Sequence, residues 1–208
     1  DLPDLAQLLT RLAWGLGSLH QPEKARGIVN EALHITLRDY GAAHPLYADA
    51  LKEASSVALQ LGQRAEALAL MTQALQIEQA AYGAAHPILA VSTTRLGWAQ
   101  SQAGQHDAAI TTLQHAIAME ERFEQPNWKN VASAYNAIGD AEISRGNYDA
   151  ARAALEAALS RGSRIKSDIR LPLPPARHSR ELLAPAPGTC HRSARFDRPP
   201  ERARNPAR

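Results

Sequence analysis

The stretch Tyr40-Gly41-Ala42-Ala43-His44-Pro45 returns unchanged as Tyr82-Gly83-Ala84-Ala85-His86-Pro87, 42 residues further along the chain. Other small residues keep the same period, namely Gly62/Gly104/Gly146, Ala67/Ala109/Ala151 and Ala74/Ala116/Ala158. Ala25 and Ala32 continue both alanine series one step towards the N-terminus, although His20 stands where the glycine series predicts a glycine. A fixed period of this length is typical of a stacked solenoid, in which each unit packs on its neighbours.

Within each unit the apolar residues are spaced for two helices. Leu51, Ala54 and Ala58 lie three and four residues apart, and a second such series begins at Ala67, after Gly62. We therefore predict an all-α, right-handed solenoid of about four helical hairpins, in units of about 1–39, 40–81, 82–123 and 124–161. The predicted first helices are 4–19, 46–61, 88–103 and 128–145, and the second helices are 23–39, 64–81, 106–123 and 148–161.

Composition divides the chain near residue 160. Residues 1–160 hold 11 Lys/Arg and 17 Asp/Glu, whereas residues 161–208 hold 12 and 4 and include eight of the 13 prolines. The second part buries too little apolar surface to offset its ordering entropy, which predicts a solenoid over 1–160 and a disordered basic tail over 161–208. The single cysteine, Cys190, lies in that tail, so the body must fold without a disulfide.

The signals for location and completeness are simple. No apolar run is long enough to span a bilayer, so we expect no membrane partner. The start of the chain, Asp1-Leu2-Pro3-Asp4, has neither an initiator Met nor a signal-peptide pattern. These features favour a cytoplasmic protein and a sequence that is a fragment of something longer.

The residues of each unit resemble the tetratricopeptide repeat, in the 42-residue form of kinesin light chain and many bacterial proteins. The second-helix alanines and the Gly-Ala-Ala-His-Pro linker carry this resemblance. Two departures concern the last units. Gln100 and Glu142 replace an aromatic residue, and Pro126-Asn127-Trp128 replaces His-Pro, where we expect Asn127 to cap the helix. The resemblance implies a scaffold fold, but the family binds many unrelated partners.

In this family the first helices line a concave face, and the resemblance places a peptide-binding groove there. The candidate contact residues are Trp14, Lys52, Gln60, Thr94, Trp98, Gln102, Asn136 and Asp140. Lys52 is the only cation at the family's groove positions, which disfavours strongly acidic ligands. Trp14 and Trp98 are either anchors for a ligand or packing residues in a chain with few aromatics.

Other polar residues are better explained by structure than by chemistry. His44 and His86 each precede a proline that suits the first turn of a helix, so we expect helix caps rather than metal ligands. Glu120, Glu121 and Glu124 lie at a helix end, where we expect a solvated face rather than catalytic carboxylates. We find no phosphate-binding glycine loop, nucleophile with a base, or zinc-ligand spacing, and therefore expect no enzyme activity, cofactor or metal.

The tail leaves three interpretations open. Residues 172–177 match the Pro-x-x-Pro-x-Arg pattern of SH3 ligands, the basic composition suits nucleic acid, and an unpatterned Arg/Pro/Ala stretch is also what a wrong reading frame encodes. For the whole chain we predict a protein-interaction scaffold that binds an extended peptide or a partner helix. The alternatives are a regulatory segment of a larger bacterial protein kinase or transcription regulator, and nucleic-acid contact through the tail.

Overall fold

The structure is a computed structural model that describes residues 2–168, with side chains over 5–163, and all regular structure in that range is helical. The described range holds eight helices: α1 Leu2–Ser18, α2 Pro22–Tyr40, α3 Pro45–Gln60, α4 Arg64–Tyr82, α5 Pro87–Gln102, α6 His106–Glu120, α7 Trp128–Ser144 and α8 Tyr148–Asp168. They form four hairpins, which confirms the predicted all-α repeat architecture. The last helix runs to Asp168, past the predicted end at 161. The predicted disorder beyond it, Cys190 and the 172–177 motif lie outside the described residues.

Glycines in left-handed backbone conformation close the first helix of three hairpins. Gly62 has a φ of +75°, and its amide donates a hydrogen bond to the carbonyl of Leu59 at 3.0 Å. Gly104 and Gly146 adopt the same conformation. In the first hairpin His20 takes this place with a φ of +56°, a conformation that is costly for a residue with a Cβ.

The joints between hairpins are capped as the sequence predicts. Nδ1 of His44 accepts a hydrogen bond from the amide of Leu46 at 3.1 Å, and its ring lies 4.8 Å from that of Tyr40. His86 makes the equivalent contacts with the amide of Ile88 and the ring of Tyr82. At the fourth unit the side chain of Asn127 accepts from the amide of Asn130 at 3.1 Å, which confirms Asn127 as the substitute cap.

Small residues let the two helices of each hairpin approach closely. A Cβ built on Gly97 would lie 2.6 Å from Cγ of Leu113, and one built on Gly139 would lie 2.9 Å from Cγ of Leu155. In the second hairpin the equivalent residue is Ser55, whose hydroxyl donates to the carbonyl of Ala67 at 2.7 Å. The helices therefore pack at a separation that larger side chains would not fit.

Successive hairpins stack through their apolar faces. The second helix of each hairpin packs on the first helix of the next, as α2 does on α3, α4 on α5 and α6 on α7. At the last of these joints Leu113 and Ile117 share one buried cluster with Val131 and Ile138. The first helices also touch one another along one side, which we call the first-helix face. None of the described helices is both long and apolar enough to cross a membrane.

Candidate functional site

The first-helix face carries two adjoining cavities. The α5–α7 cavity has a volume of about 570 Å³, and the α1–α5 cavity has a volume of about 490 Å³. Val91 and Arg95 line both, so the cavities form one continuous depression, which we call the groove. Several polar side chains line its two halves: Thr94, Trp98, Asn136 and Asp140 in the first, and Gln7, Thr10, Asp49, Lys52 and Glu53 in the second.

The α5–α7 cavity brings four of the predicted site residues together. Trp98 lies on α5 with 38% of its surface exposed, which leaves part of the indole open to a ligand. Asn136 and Asp140 lie on α7 and are exposed, whereas Thr94 is buried and donates its hydroxyl hydrogen bond to the carbonyl of Ala90 at 3.0 Å. These predicted residues contribute one aromatic surface, one amide and one carboxylate to the same cavity.

Lys52 also lines the groove, but its ammonium group is already paired. Nζ lies 2.5 Å from Oε1 of Glu78 and 2.7 Å from Oδ1 of Asp49, and only 9% of the residue is exposed. Burial acts to lower the pKa of Lys52, but the hydrogen bonds and charges of Asp49 and Glu78 outweigh it, so that the pKa is raised. Lys52 is therefore an internal ion-pair partner rather than a free cation for a ligand.

Lys52 is the only cation at the family's groove positions, but three further cations line the two cavities. Arg95 lies where the two cavities meet, and its Nη1 contacts Oε1 of Glu53 at 2.9 Å. Arg11 lines the α1–α5 cavity, and Lys129 lines the α5–α7 cavity. Sequence reasoning missed Arg95 because the resemblance covers only a fixed set of groove positions. One signal was present, since Arg95 follows the oppositely charged Glu53 by one full repeat of 42 residues.

Three predicted site residues lie outside both cavities. Trp14 is 62% exposed on α1, and Gln60 and Gln102 are exposed at the ends of α3 and α5. The amide of Gln60 covers Gly17, where a Cβ would come within 3.0 Å of its Nε2. Four of the candidate residues therefore line the α5–α7 cavity, Lys52 lines the α1–α5 cavity, and these three line neither.

The prediction that Glu120, Glu121 and Glu124 form a solvated acidic face is wrong for Glu120. Glu120 is buried and accepts hydrogen bonds from the amide of Asn127 at 3.0 Å and from Nδ2 of Asn130 at 2.8 Å. Glu121 and Glu124 are exposed, as expected. Glu120 therefore joins the third hairpin to the fourth, where the His-Pro linker is missing.

The fold and the groove define a protein of tandem helical hairpins with a grooved surface made largely by its first helices. Two family models, each described as tetratricopeptide repeat, match residues 47–122 and 131–165, which together exceed half of the chain. The chain therefore belongs to the tetratricopeptide repeat family and is a protein-interaction scaffold of the general kind that these repeats provide.

Solved structures show the same fold at low sequence identity. BtubC (BKLC) from P. vanneervenii is 19% identical over 84% of this chain and 68% of that chain, with a TM-score of 0.67. A putative kinesin light chain from Podospora anserina with nearly identical repeats is 20% identical over 78% and 76%, with a TM-score of 0.61. MamA is 20% identical over 79% and 82%, with a TM-score of 0.52. The search of curated proteins returned no match to the sequence.

Proposed function

We propose that the chain binds an extended peptide segment of a partner protein along the groove, with the α5–α7 cavity as the main contact. The observation that carries this proposal is the half-open indole of Trp98 beside the exposed polar groups of Asn136 and Asp140. An extended peptide presents an apolar side chain and unpaired backbone groups together, and this cavity matches both. The proposal makes the protein a docking scaffold and assigns it no chemical reaction.

The backbone of a bound peptide needs partners for its N–H and C=O groups. The carboxylate of Asp140 accepts from an N–H group, and the amide of Asn136 both donates and accepts. Among the described residues, Asn136 forms no hydrogen bond that would have to be broken first. Arg95 keeps its contact with Glu53 through Nη1 and presents its remaining N–H groups to carbonyl oxygens at the junction of the cavities.

Photo-crosslinking tests the location of the site. A benzoylphenylalanine placed at Asn136 should capture partner proteins from a lysate that the same group at Tyr148 does not capture. Tyr148 is a matched control because it is 72% exposed on α8 and lines neither cavity. Equal capture at both positions, or none at 136, would exclude the groove as the binding surface.

Calorimetry with a peptide from a captured partner then tests the anchor. Trp98→Ala should weaken binding by about 2 kcal/mol, or roughly 30-fold, as for a buried aromatic anchor. Tyr148→Ala, which removes an exposed aromatic ring elsewhere, should leave the affinity unchanged. A lower melting temperature for Trp98→Ala with full affinity would identify Trp98 as a packing residue instead. Loss of affinity in Trp14→Ala as well would extend the contact along the face to α1.

A further inference from the structure

A further cavity lies between α4 and α6, away from the groove. This α4–α6 cavity has a volume of about 530 Å³ and shares no lining residue with the two cavities of the groove. Helix α5 contributes residues to both places, with Thr94 and Trp98 in the groove. The α5 residues that line the α4–α6 cavity lie on the opposite side of that helix, and they are Leu89, Thr93 and Leu96.

The α4–α6 cavity has a smaller counterpart one repeat further along the chain. We call it the α6–α8 cavity, and its volume is about 280 Å³. Tyr135 and Ile138 of α7 line it and stand 42 residues after Thr93 and Leu96. Three further lining residues, Ile117, Glu121 and Ala154, likewise follow Leu75, Gln79 and Thr112 of the larger cavity by 42. The two cavities therefore occupy the same place in successive units.

The difference in volume follows from the residue at the position of Thr93. In the fourth unit the ring of Tyr135 packs against the buried cluster of the last joint, and the guanidinium carbon of Arg161 lies 5.8 Å from the ring centroid. In the third unit Thr93 has no ring, and Met119 stands in register with Arg161. The larger cavity thus contains space that corresponds to a phenol ring one unit later.

The lining of the α4–α6 cavity suits an aromatic ring. Leu89 and Leu96 supply apolar surface, and Met119 adds a thioether, which makes favourable contacts with aromatic rings. Arg122 and His115 also line the cavity and are exposed, so that a cation and hydrogen-bonding groups are available for a ring and its hydroxyl. The volume lies within the range of cavities that bind small organic groups.

We propose that the α4–α6 cavity is a second docking site, which takes an aromatic side chain, tyrosine above all, from a partner protein. A tyrosine inserted there supplies the ring that Tyr135 supplies in the fourth unit. Apolar residues within and exposed polar residues at Gln79, His115 and Arg122 give the cavity the apolar centre and polar rim of a protein interface with one aromatic anchor. Because the groove uses the other side of α5, the scaffold can hold two partners at once.

Methyl NMR of the full chain with ¹³C-labelled methionine tests the site directly. The chain has two methionines, of which Met119 lines the cavity, whereas Met71 is buried in the second hairpin and does not. The peptide acetyl-Gly-Tyr-Gly-amide should shift the Met119 signal alone, with half-saturation at about millimolar concentrations. The matched peptide acetyl-Gly-Leu-Gly-amide should bind about three- to ten-fold more weakly, because it lacks the ring. Met119→Leu assigns the two signals.

Substitutions at Thr93 test whether the shift comes from the cavity. Thr93→Tyr should fill the space with the chain's own ring, as Tyr135 does, and abolish the response of Met119 to the peptide. Thr72→Tyr is the matched control and should leave the titration unchanged, since Thr72 is exposed on α4 and does not line the cavity. Thr93→Leu introduces the residue of the second unit, Leu51, and serves as a second filled variant if circular dichroism shows that Thr93→Tyr is unfolded.

Several results would overturn the proposal. A Met119 signal that does not move in a saturable way, or that moves only together with Met71, would mean that the cavity binds no ring. Equal affinity for the two peptides would remove the preference for an aromatic side chain. An unchanged titration in the folded Thr93 variants would place binding elsewhere. Binding of free p-cresol without binding of the tyrosine peptide would identify a small-molecule site, and docking of a partner side chain would be wrong.

Discussion

Replacing Gly97 by alanine should destabilise the protein, although alanine is the better helix former. Gly97 lies inside α5, where its helical backbone has no need of a glycine. The added Cβ would lie 2.6 Å from Cγ and 2.8 Å from Cδ2 of Leu113, and Leu113 is fully buried. Cγ is close to the backbone, so it moves only if the whole side chain or the helix shifts.

The sign of the effect follows from two opposing magnitudes. Alanine gains about 1 kcal/mol over glycine in a helix interior. Overpacking a buried contact costs about 1–3 kcal/mol, because side chains leave their preferred rotamers or the helices separate. We therefore expect a net loss of about 1 kcal/mol in the free energy of unfolding, or about 2–4 °C in melting temperature for a chain of this size.

Two further variants separate the effect of helix propensity from that of overpacking. Circular dichroism monitors the thermal melting of each. Gly27→Ala is a control for propensity, because Gly27 is an exposed residue within α2 with open space beside it, and it should gain about 1 kcal/mol. In a Leu113→Ala background the clash is gone, so that Gly97→Ala should become stabilising. If Gly97→Ala raises the melting temperature of the wild type as Gly27→Ala does, close helix approach is not the reason for the glycine.

Three further predictions concern polar groups and the backbone. Glu120→Ala should lower the free energy of unfolding, measured by urea denaturation, by about 2–3 kcal/mol, because it leaves buried donors unpaired. Glu124→Ala at an exposed site is the control and should change it by less than about 0.5 kcal/mol. Similar values for both variants would contradict the role of Glu120 in joining the third and fourth hairpins. His20→Gly should raise the melting temperature and increase the free energy of unfolding by about 0.5–1 kcal/mol, because glycine adopts a positive φ without strain. A lower melting temperature would show that the imidazole makes a compensating contact. Because the pKa of Lys52 is raised on folding, its stabilisation is complete below the ordinary lysine pKa of 10.5 and is lost as the pH rises through the folded value. The wild-type melting temperature should then fall more steeply in alkali than that of a variant with methionine at both Lys52 and Glu78, and parallel pH profiles would refute the assignment.

Most of the fold was predictable because its determinants are local and recur. A glycine that closes a helix or a His-Pro pair that begins one acts through its own neighbours, and a period of 42 residues repeats the signal. Glu120 was not predictable in this way, because its partner Asn130 lies on the next helix and only the stacking of hairpins brings them together. The prediction that Lys52 contacts a ligand could not take its ion pair into account for the same reason, since its partner Glu78 belongs to the following helix.

For the groove, the family pattern predicted which faces of the helices contribute but not which side chains remain open. Trp98 and Trp14 occupy the same position two units apart, but within the described residues α5 lies between two other first helices, whereas α1 contacts one. The α5–α7 cavity depends on α7, so no inspection of α5 alone could distinguish the two tryptophans. The predicted contacts of both with a ligand stay a prediction, and the variants described above address them.

The identical linkers at residues 40–45 and 82–87 bear on how such a gene changes length. Removal of residues 45–86 would join His44 to Pro87 and restore the same six-residue linker. Recombination at this point would therefore leave the linker sequence unchanged. The lost segment would take Lys52 and Glu78 together, and no orphaned charge would stay behind from that pair. Arg95, however, would then meet Arg11 in place of Glu53 at the equivalent position, and like charges would face each other. The ion pair of Glu53 and Arg95 thus favours the present order of these units, although their linkers are interchangeable.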